Sequence, residues 1–530
     1  MDSSITDEPS RLLFQICVAK SHRSDLRSQI ELFRAQEHAL TLEINKLANV
    51  LFSWLPDDIL QEIFIWCIGD NPEVDIPFME GFCESMEDEL DDYERDSNSD
   101  HGSDMCTNPE FDADELHVSK EELLLPQQII LSHVCSRWRR VASSTRKLWS
   151  SVFITCFNAL SKRLANEWLL KAADCPISIS ISSFVRSSDE FNTYTELKNF
   201  LSAYKIRILD LSIYSKTWVE LGLVMTDLPD ENISFLEKLS LTDMDDGDVQ
   251  EILCLNSPRY PNLHFLELSG GDCNSAFIAP WDSLYELDIS CCYLPFAQCL
   301  HILRQCTSLH TCSFCVNLLS AEVQYEPVHH PNLSVLLLSF VCPVSVGISL
   351  RPLTIPNLTS LTIDRAYLGH HFSHPLLGSG LETEYSSLMQ RSNNPSIQHL
   401  SIIYMDIPIN IANILISSPT LTRLTIGHVA FGQQLETLND FAEGLLGPNL
   451  QHLGLVKLSE LGSLHRILEM ILLRNLGHVP KLGSVELLDN YLDDTPDLVA
   501  LAVALREAGV ELKSLPTPPC DEELGYYQHI

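Results

Sequence analysis

The chain has 530 residues, a formal net charge of −38 at pH 7 and an ordinary hydrophobic fraction of 45%. This length allows several domains or one long repeat array. The charge argues against nucleic-acid binding, which needs a basic surface to neutralise phosphates, and against docking on anionic lipid. The sequence has no signal-peptide pattern and no apolar stretch long enough to cross a bilayer, so we expect no membrane association.

The 17 cysteines lie mostly inside apolar segments. This placement is typical of buried free thiols, which behave as small hydrophobic residues. Free thiols indicate a reducing compartment, so we expect a cytoplasmic or nuclear protein.

The N-terminal region is predicted to contain one helix. Residues 1–23 are expected to be disordered or weakly ordered. Over 24–51, apolar residues recur at alternating three- and four-residue steps, as in an amphipathic or coiled-coil helix. Packing on a neighbouring segment and self-association through 24–51 are both compatible with this pattern.

A short and unusually apolar helix follows, in "LPDDILQEIFIWCI" (55–68). Asp57 and Asp58 are favourable in its first turn because they face the positive end of the helix dipole. The apolar residues that follow at helical spacing exceed what one buried face of such a short helix requires. The helix is therefore predicted to pack against this chain, a partner chain, or both.

An acidic segment over 70–125 then interrupts the apolar pattern. Between 70 and 122 there are 20 Asp and Glu residues against two basic ones. Such a segment repels itself and buries too little apolar area to offset the entropy lost on ordering. We predict a disordered loop.

Apolar periodicity returns in "IILSHVCSRWRRVASSTRKLWSSVFI" (129–154). Residues from Ile129 to Val141 place apolar side chains on one helical face, and Val152–Ile154 predict a first strand. The three arginines at 137, 139 and 140 are expected to be solvated or paired with acidic side chains rather than bound to nucleic acid.

One apolar pattern recurs eleven times from residue 206 onward. Each copy has the spacing L-x-x-L-x-L, as in "PNLHFLEL" (261–268) and "PNLTSLTI" (356–363), and successive copies begin 21 to 39 residues apart. Leucine-rich repeats have periods of about 20–29 residues, each with one short strand, and the repeats must stack to bury their apolar faces. The alternative is an ordinary α/β domain with leucine-rich strands.

The repeats predict an α/β leucine-rich-repeat solenoid with a curved parallel sheet over 155–513. The longest step between copies contains 369–394, where we predict an insertion loop. Residues 514–530 are expected to form a C-terminal tail. Solenoids of this kind usually bind a protein on the face formed by their strands.

The sequence has no pattern of a catalytic centre. Glycine-rich phosphate loops, the H-E-x-x-H motif and the G-x-S-x-G motif are absent. Cys312 and Cys315 form a single C-x-x-C pair, whereas a structural zinc site needs four ligands. We therefore expect no catalytic residues, no metal and no cofactor.

Without the acidic segment, the two apolar helical stretches resemble an F-box. The residues that carry the resemblance follow the order L-P-x-x-I-L-x-x-I-F, L-S-x-V-C-x-x-W-R-x-V-A and L-W. Together with the repeats behind them, they are similar to the F-box-like proteins of fungi that carry leucine-rich repeats. The resemblance covers 52–154, and it departs from the family in the width of the gap over 70–125.

The resemblance implies a small all-α module that binds the Skp-type adaptor of a cullin-RING ubiquitin ligase. A module of this size cannot bury so many large apolar residues alone, and docking of a helix in a partner's groove is a natural outlet. For each residue, packing in the core of this chain is the alternative. By match of pattern, the adaptor-binding residues would be Leu55, Pro56, Ile59, Leu60, Ile63, Val134, Cys135, Trp138, Leu148 and Trp149.

The resemblance further implies a non-enzymatic substrate-recognition subunit, whose repeats hold a protein substrate while partner subunits transfer ubiquitin. Two alternatives remain open. The chain could be a leucine-rich-repeat scaffold without a ligase, or its acidic segment could bind basic proteins.

Overall fold

A computed structural model gives the fold of the chain in a series of segments. The described residues are 34, 36, 39–40, 46, 55–68, 75–76, 127–154, 157, 159–182, 190–203, 208–215, 218–228, 233–243, 255, 259–270, 278–317, 324–341, 346–365, 380–403, 411–427, 435–456, 461–488 and 496–515.

Several sequence predictions therefore lie outside the described residues. These are the N-terminal region 1–23, most of the helix over 24–51, the acidic loop over 70–125 apart from Asp75 and Ile76, and the tail after Leu515. The five described residues of 24–51 are helical and exposed.

The chain divides into two compact units. The first unit comprises residues 1–70 and 127–148, and the second comprises 71–126 and 149–530. The domain boundaries predicted from the sequence stay predictions. The described helices of the first unit are α1 (Asp57–Ile68), α2 (Gln127–Val134) and α3 (Ser136–Ser144). A 3₁₀ turn, Arg146–Trp149, follows α3.

The second unit is built on a 15-stranded sheet, whose strands are all parallel and lie side by side in chain order. Two further strands, β9 (Val328–His329) and β11 (Leu353–Thr354), pair with each other in a separate parallel sheet. The strands are β1 (Asp75–Ile76), β2 (Ser151–Ile154), β3 (Ile177–Ser182), β4 (Ile208–Ser215), β5 (Lys238–Asp243), β6 (Phe265–Ser269), β7 (Glu286–Pro295), β8 (Thr311–Asn317), β9 (Val328–His329), β10 (Val335–Phe340), β11 (Leu353–Thr354), β12 (Ser360–Arg365), β13 (His399–Ile402), β14 (Arg423–Gly427), β15 (His452–Val456), β16 (Ser484–Leu488) and β17 (Glu511–Leu515).

Helices connect many of these strands, as parallel pairing requires. The fold is therefore mixed α/β with one long parallel sheet, which confirms the predicted class at this level and is compatible with a solenoid. The helices are α4 (Ala159–Ala172), α5 (Glu190–Ala203), α6 (Trp218–Asp227), α7 (Phe296–Gln305), α8 (Val346–Leu350), α9 (Leu381–Arg391), α10 (Ile411–Ser417), α11 (Leu435–Ala442), α12 (Leu461–Leu476) and α13 (Pro496–Glu507).

The recurring apolar pattern sets the register of the sheet. In ten of the eleven copies, the last two apolar residues lie inside one strand and are both buried. The prediction of the first copy was out of register: the buried residues at this spacing in β4 are Ile208, Leu211 and Ile213, and Leu209 is half-buried. Leu211, Leu239 and Leu266 are paired across β4, β5 and β6, and each is fully buried. Because side chains alternate along a strand, the residues between the buried ones lie on the opposite face. The sheet thus has one continuous core face.

The asparagine of the recurring Pro-Asn-Leu lead links neighbouring repeats. Its side-chain amide donates a hydrogen bond to a backbone carbonyl that lies 25 to 30 residues earlier. These hydrogen bonds are exposed to solvent, so each adds a modest contribution, about 0.5–1.5 kcal/mol, to the stacking of the four repeats that contain the asparagine. The pairs are Asn262 with Ser234, Asn332 with Thr307, Asn357 with Pro331, and Asn449 with Pro419, at 2.7–2.9 Å.

The longest interval between successive repeats, from Leu358 to Ile397, contains a helix. Within the predicted insertion loop over 369–394, the helix α9 buries Leu381, Tyr385 and Leu388. The Tyr385 hydroxyl shares a hydrogen bond of 2.5 Å with Ser418 Oγ. Burial raises the pKa of Tyr385 to about 12. The part of this region that is α9 therefore belongs to the packed core.

Candidate functional site

The first turn of α1 is tied to α3 by charge. The Asp57 carboxylate accepts hydrogen bonds from Arg137 Nε at 2.9 Å and Nη2 at 2.7 Å, and from Arg140 Nη2 at 3.0 Å. Arg137 also donates to the carbonyl of Leu55. The hydrogen bond from Arg137 is the main cause that lowers the pKa of Asp57. Two of the three arginines are thus paired with an acidic side chain of the same unit.

The centre of the first unit is apolar. Leu60 and Phe64 of α1 are fully buried, and so is Ala142 of α3. The Phe64 ring lies against the half-buried Trp138 ring, with centroids 4.9 Å apart and planes at 56°. Aromatic pairs at this distance and tilt add to the stability gained from burial. One face of α1 is therefore used inside this chain.

The start of α3 is fixed by Cys135. This residue is extended, with φ −158° and ψ 172°, and its Sγ accepts from the backbone N–H of Trp138 at 3.5 Å. The thiol thus takes the capping position that Ser or Asp commonly fills. Its role within the unit is to orient α3 against α2.

The helix α2 exposes two apolar side chains and buries two polar ones, while Ile129 and Leu131 are half-buried and His133 is exposed. Gln128 and Ser132, four residues apart, are 2% and 9% exposed. Ile130 and Val134, also four residues apart, are 48% and 46% exposed. Residues spaced by four lie on one helical face, so α2 turns an apolar face to solvent. An exposed apolar face of this kind indicates a protein-interaction surface.

The helix α1 also exposes an apolar face beside its buried one. Ile59 is 43% exposed, Trp66 is 82% exposed, and the half-buried Ile63 lies between them. The steps of four and three residues place all three on one face. This explains part of the excess of apolar residues in α1: Leu60 and Phe64 fill the core, while Ile59 and Trp66 face outward.

The ten residues predicted to contact the adaptor fall into three groups. Their role as a set stays a prediction. Leu60, Leu148 and Trp149 are buried inside this chain and offer no surface to a partner in this structure. Pro56, Ile59 and Val134 are exposed; Leu55, Ile63, Cys135 and Trp138 are half-buried; and Leu60, Leu148 and Trp149 are at most 2% exposed.

The burial of Trp149 has a structural cause in the second unit. Trp149, Val152 and Ile154 have the same spacing as the three apolar residues of a repeat, so Trp149 fills the first position. Its ring lies 4.6 Å from the Trp168 ring, and Lys171 Nζ lies 3.8 Å from its centroid. Burial lowers the pKa of Lys171. The physical role of Trp149 is to begin the repeat core.

Sequence reasoning missed Trp66 and Ile130 as candidate surface residues. Ile130 lies four residues before Val134, so the spacing could have grouped the two. Trp66 lies in an apolar run away from the Leu60 and Phe64 face, and that position was the available signal.

Two buried cysteines and one buried histidine of the repeats have structural roles. Cys312 and Cys315 are buried, and burial raises the pKa of Cys315 to about 12. The His330 ring is 2% exposed; it contacts the Cys306 carbonyl through Nε2 at 2.5 Å and accepts from Leu333 N at 3.2 Å. Burial lowers the pKa of His330, which favours the neutral ring. Among the described residues, no three His, Cys, Asp or Glu side chains are grouped to hold a metal.

Within the described segments, no helix has both the length and the apolar character needed to span a membrane. No protein-family model matches the chain, and no curated protein matches its sequence significantly. The resemblance to the F-box therefore stays a prediction.

Proposed function

We propose that the chain is the substrate-recognition subunit of a Skp–cullin–F-box type ubiquitin ligase. In this proposal the first unit binds the Skp-type adaptor and the parallel sheet of the second unit holds a protein substrate. Ubiquitin transfer belongs to the partner subunits, and the chain itself is not an enzyme.

The observation that supports the proposal is the pair of exposed apolar side chains on α2. Ile130 and Val134 face solvent while Gln128 and Ser132 are buried, and Val134 belongs to the V-C-x-x-W-R pattern. Fully burying one such side chain is worth about 1.5–3 kcal/mol, so an adaptor that covers this face gains substantial affinity. Trp66 on α1 is the largest exposed anchor, and tryptophan is the residue type most enriched at energetic hot spots.

The mechanism follows from tethering. A substrate held on the sheet and a ubiquitin carrier held by the ligase core react as parts of one assembly. Linking two partners in this way replaces the bulk concentration of substrate by a much higher effective concentration. The chain then needs binding surfaces and no catalytic groups.

The test is co-purification of the full-length chain with a purified Skp-type adaptor. Val134→Asp and Ile130→Asp put a carboxylate on the exposed face of α2 and are expected to abolish the complex. Trp66→Ala is expected to weaken it at least tenfold, as hot-spot truncations do at about 2 kcal/mol or more.

The matched control is Leu170→Asp. Leu170 lies on α4 of the second unit and is 74% exposed, so it receives the same change in a similar setting. The control should retain the adaptor. A wild-type chain that binds no adaptor, or a Val134→Asp variant that binds as well as wild type, would contradict the proposal and leave the repeat scaffold as the better interpretation.

A further inference from the structure

The outward face of the sheet carries three nitrogen-bearing side chains in one row. His399, Arg423 and His452 are paired in register across β13, β14 and β15. Each directly precedes a buried leucine, so each lies on the face opposite the core. His399 and Arg423 are exposed, and His452 is half-buried. Neighbouring strands are about 4.8 Å apart, so the row spans about 10 Å.

A second row beside it is made of small side chains. Ser401, Thr425 and Gly454 occupy the next outward positions of the same strands and are paired in register. A Cβ at Gly454 would lie 2.8 Å from Thr425 Oγ1, so a larger residue there would displace that side chain. The Thr425 side chain covers Gly454, and its hydroxyl and that of Ser401 lie next to the nitrogen-bearing row.

The guanidinium of Arg423 already has a carboxylate neighbour. Arg423 Nη2 lies 3.6 Å from Glu486 Oε1 on β16, across the strand that holds Gly454. This distance exceeds that of a hydrogen bond, so the pair is an ion pair only. The two side chains are 47% and 24% exposed, and such pairs contribute little in water. The pair shows that a carboxylate is accommodated at this place.

The neighbouring His452 has a defined orientation. Its Nδ1 lies 2.6 Å from Ser484 Oγ, which fixes the ring and leaves Nε2 for another contact. The charges along this face are also divided by position. Glu267 and Asp288 are paired on the outward face of β6 and β7, far from β14 in the strand order. Glu486 and Glu511 also lie on this face, on β16 and β17. The outward positions paired across β13, β14 and β15 carry no carboxylate, so these three strands are the part of the face suited to an anion.

We propose that His399, Arg423 and His452 bind an extended acidic peptide of a partner protein, with two carboxylate side chains placed two residues apart. In an extended peptide, side chains on one side recur every 6.6–6.8 Å or so, which fits two carboxylates between three donors that span about 10 Å. The Arg423 guanidinium can hold a carboxylate with two parallel hydrogen bonds. The imidazole N–H groups and the hydroxyls of Ser401 and Thr425 supply further donors.

The proposal names the substrate class for the recognition half of the proposed function. It does not require the adaptor. A chain that binds the acidic peptide and no adaptor would support this site and overturn only the ligase role.

The experiment uses the full-length chain and fluorescein-labelled peptides in about 0.15 M salt, where charges more than about 8 Å apart are largely screened. The probes share one sequence of uncharged residues. They differ in the acidic residues added to it: two glutamates at positions i and i+2, one glutamate, one phosphoserine, or none. Fluorescence polarisation is expected to give the tightest binding for the paired glutamates. Arg423→Ala should weaken that binding about tenfold, the range for a hydrogen bond to a charged group.

Two variants sharpen the test. Glu486→Gln removes the competing carboxylate and should tighten binding of the paired-glutamate peptide several-fold. Lys238→Ala removes an exposed lysine from the corresponding position of β5 and should leave binding unchanged. Equal binding of all peptides, no loss with Arg423→Ala, or binding of phosphoserine without any response to paired glutamates would each overturn the proposal.

Discussion

The Phe64 ring of α1 packs against the Trp138 ring of α3, with centroids 4.9 Å apart. The acidic segment separates these residues in sequence, yet they form one core in the first unit. The split pattern of apolar residues is thus joined in space. A partner that recognises α1 and α2 depends on this contact because it holds the two helical stretches together.

Phe64→Ala is therefore expected to destabilise the first unit. Removing a buried phenylalanine costs about 3–5 kcal/mol, through lost burial and the cavity that remains. Amide hydrogen exchange in α1 and α3 should accelerate, while exchange in the strands of the second unit should stay unchanged. Trp66→Ala is the control, because an 82% exposed side chain leaves no cavity. Equal protection in both variants would contradict the assignment of Phe64 to the core.

The ion pairs of Asp57 predict a pH dependence. The pKa of Asp57 is lowered from 3.8, first by the hydrogen bond from Arg137. Because the pKa of Asp57 is lower in the folded chain, its ion pairs stabilise the fold above the unfolded-state pKa. This stabilisation is lost as the pH falls through the folded-state pKa. Asp57→Asn should therefore destabilise α1 at neutral pH, and the difference should shrink as the pH falls below 3.8 and through the folded-state pKa.

The measurement is hydrogen exchange of α1 in wild type and Asp57→Asn across that pH range. Asp58→Asn is the matched control, since Asp58 is an exposed acidic residue of the same first turn. A difference that persists unchanged in acid would show that Asp57 acts through packing rather than charge.

The strands of the sheet could be predicted wherever all three apolar positions of the repeat are filled. The pattern missed β3 because Pro176 stands where the first apolar residue belongs, ahead of Ile179 and Ile181. It missed β17 because Gly509 occupies the first apolar position of that repeat, and the buried Val510 follows it. In both strands the neighbouring repeat supplies pairing, and this cross-strand context is not visible in a local pattern.

The candidate surface could be predicted only in part. Helical spacing groups Ile130 with Val134 and Gln128 with Ser132, but it does not say which face is outward. The usual rule puts apolar residues inside, but in α2 only Ile129 and Leu131 are half-buried, whereas Ile130 and Val134 are exposed. Burial of Leu60 likewise depends on α3, which lies beyond the acidic segment in sequence.

The cysteines of the repeats should differ sharply in reactivity. Burial raises the pKa of Cys306 to about 12 and raises that of Cys312 as well. The thiolate is the reactive form, so both should resist alkylation in the folded chain. Among the cysteines that the structure describes, Cys67 and Cys291 are exposed and should react before Cys306 and Cys312. Mass spectrometry after a short iodoacetamide pulse, with and without denaturant, gives the order, and labelling of Cys312 as fast as Cys291 in the native chain would contradict its burial.

Arg474 on α12 is a buried cation that holds backbone carbonyls together. It is fully buried, and its guanidinium donates to the carbonyls of Phe441, Leu446, Gly447 and Pro480 at 2.7–3.1 Å. The guanidinium carbon also lies 4.7 Å from the centroid of the Phe441 ring. Burial lowers the pKa of Arg474, so its hydrogen bonds must offset the cost of desolvating the charge.

Arg474→Met keeps most of the side-chain volume and removes every donor. The carbonyls of Phe441 and Gly447 also accept from the backbone N–H groups of Gly444 and Leu450, so the loss falls on those of Leu446 and Pro480. A buried carbonyl left without a donor costs about 1–3 kcal/mol when water cannot reach it. We expect a loss of several kcal/mol of stability and faster hydrogen exchange between residues 441 and 447. Arg466→Met, on the exposed face of the same helix, should change neither quantity. Equal stability of the two variants would show that the loop carbonyls find other donors and that Arg474 is dispensable for the fold.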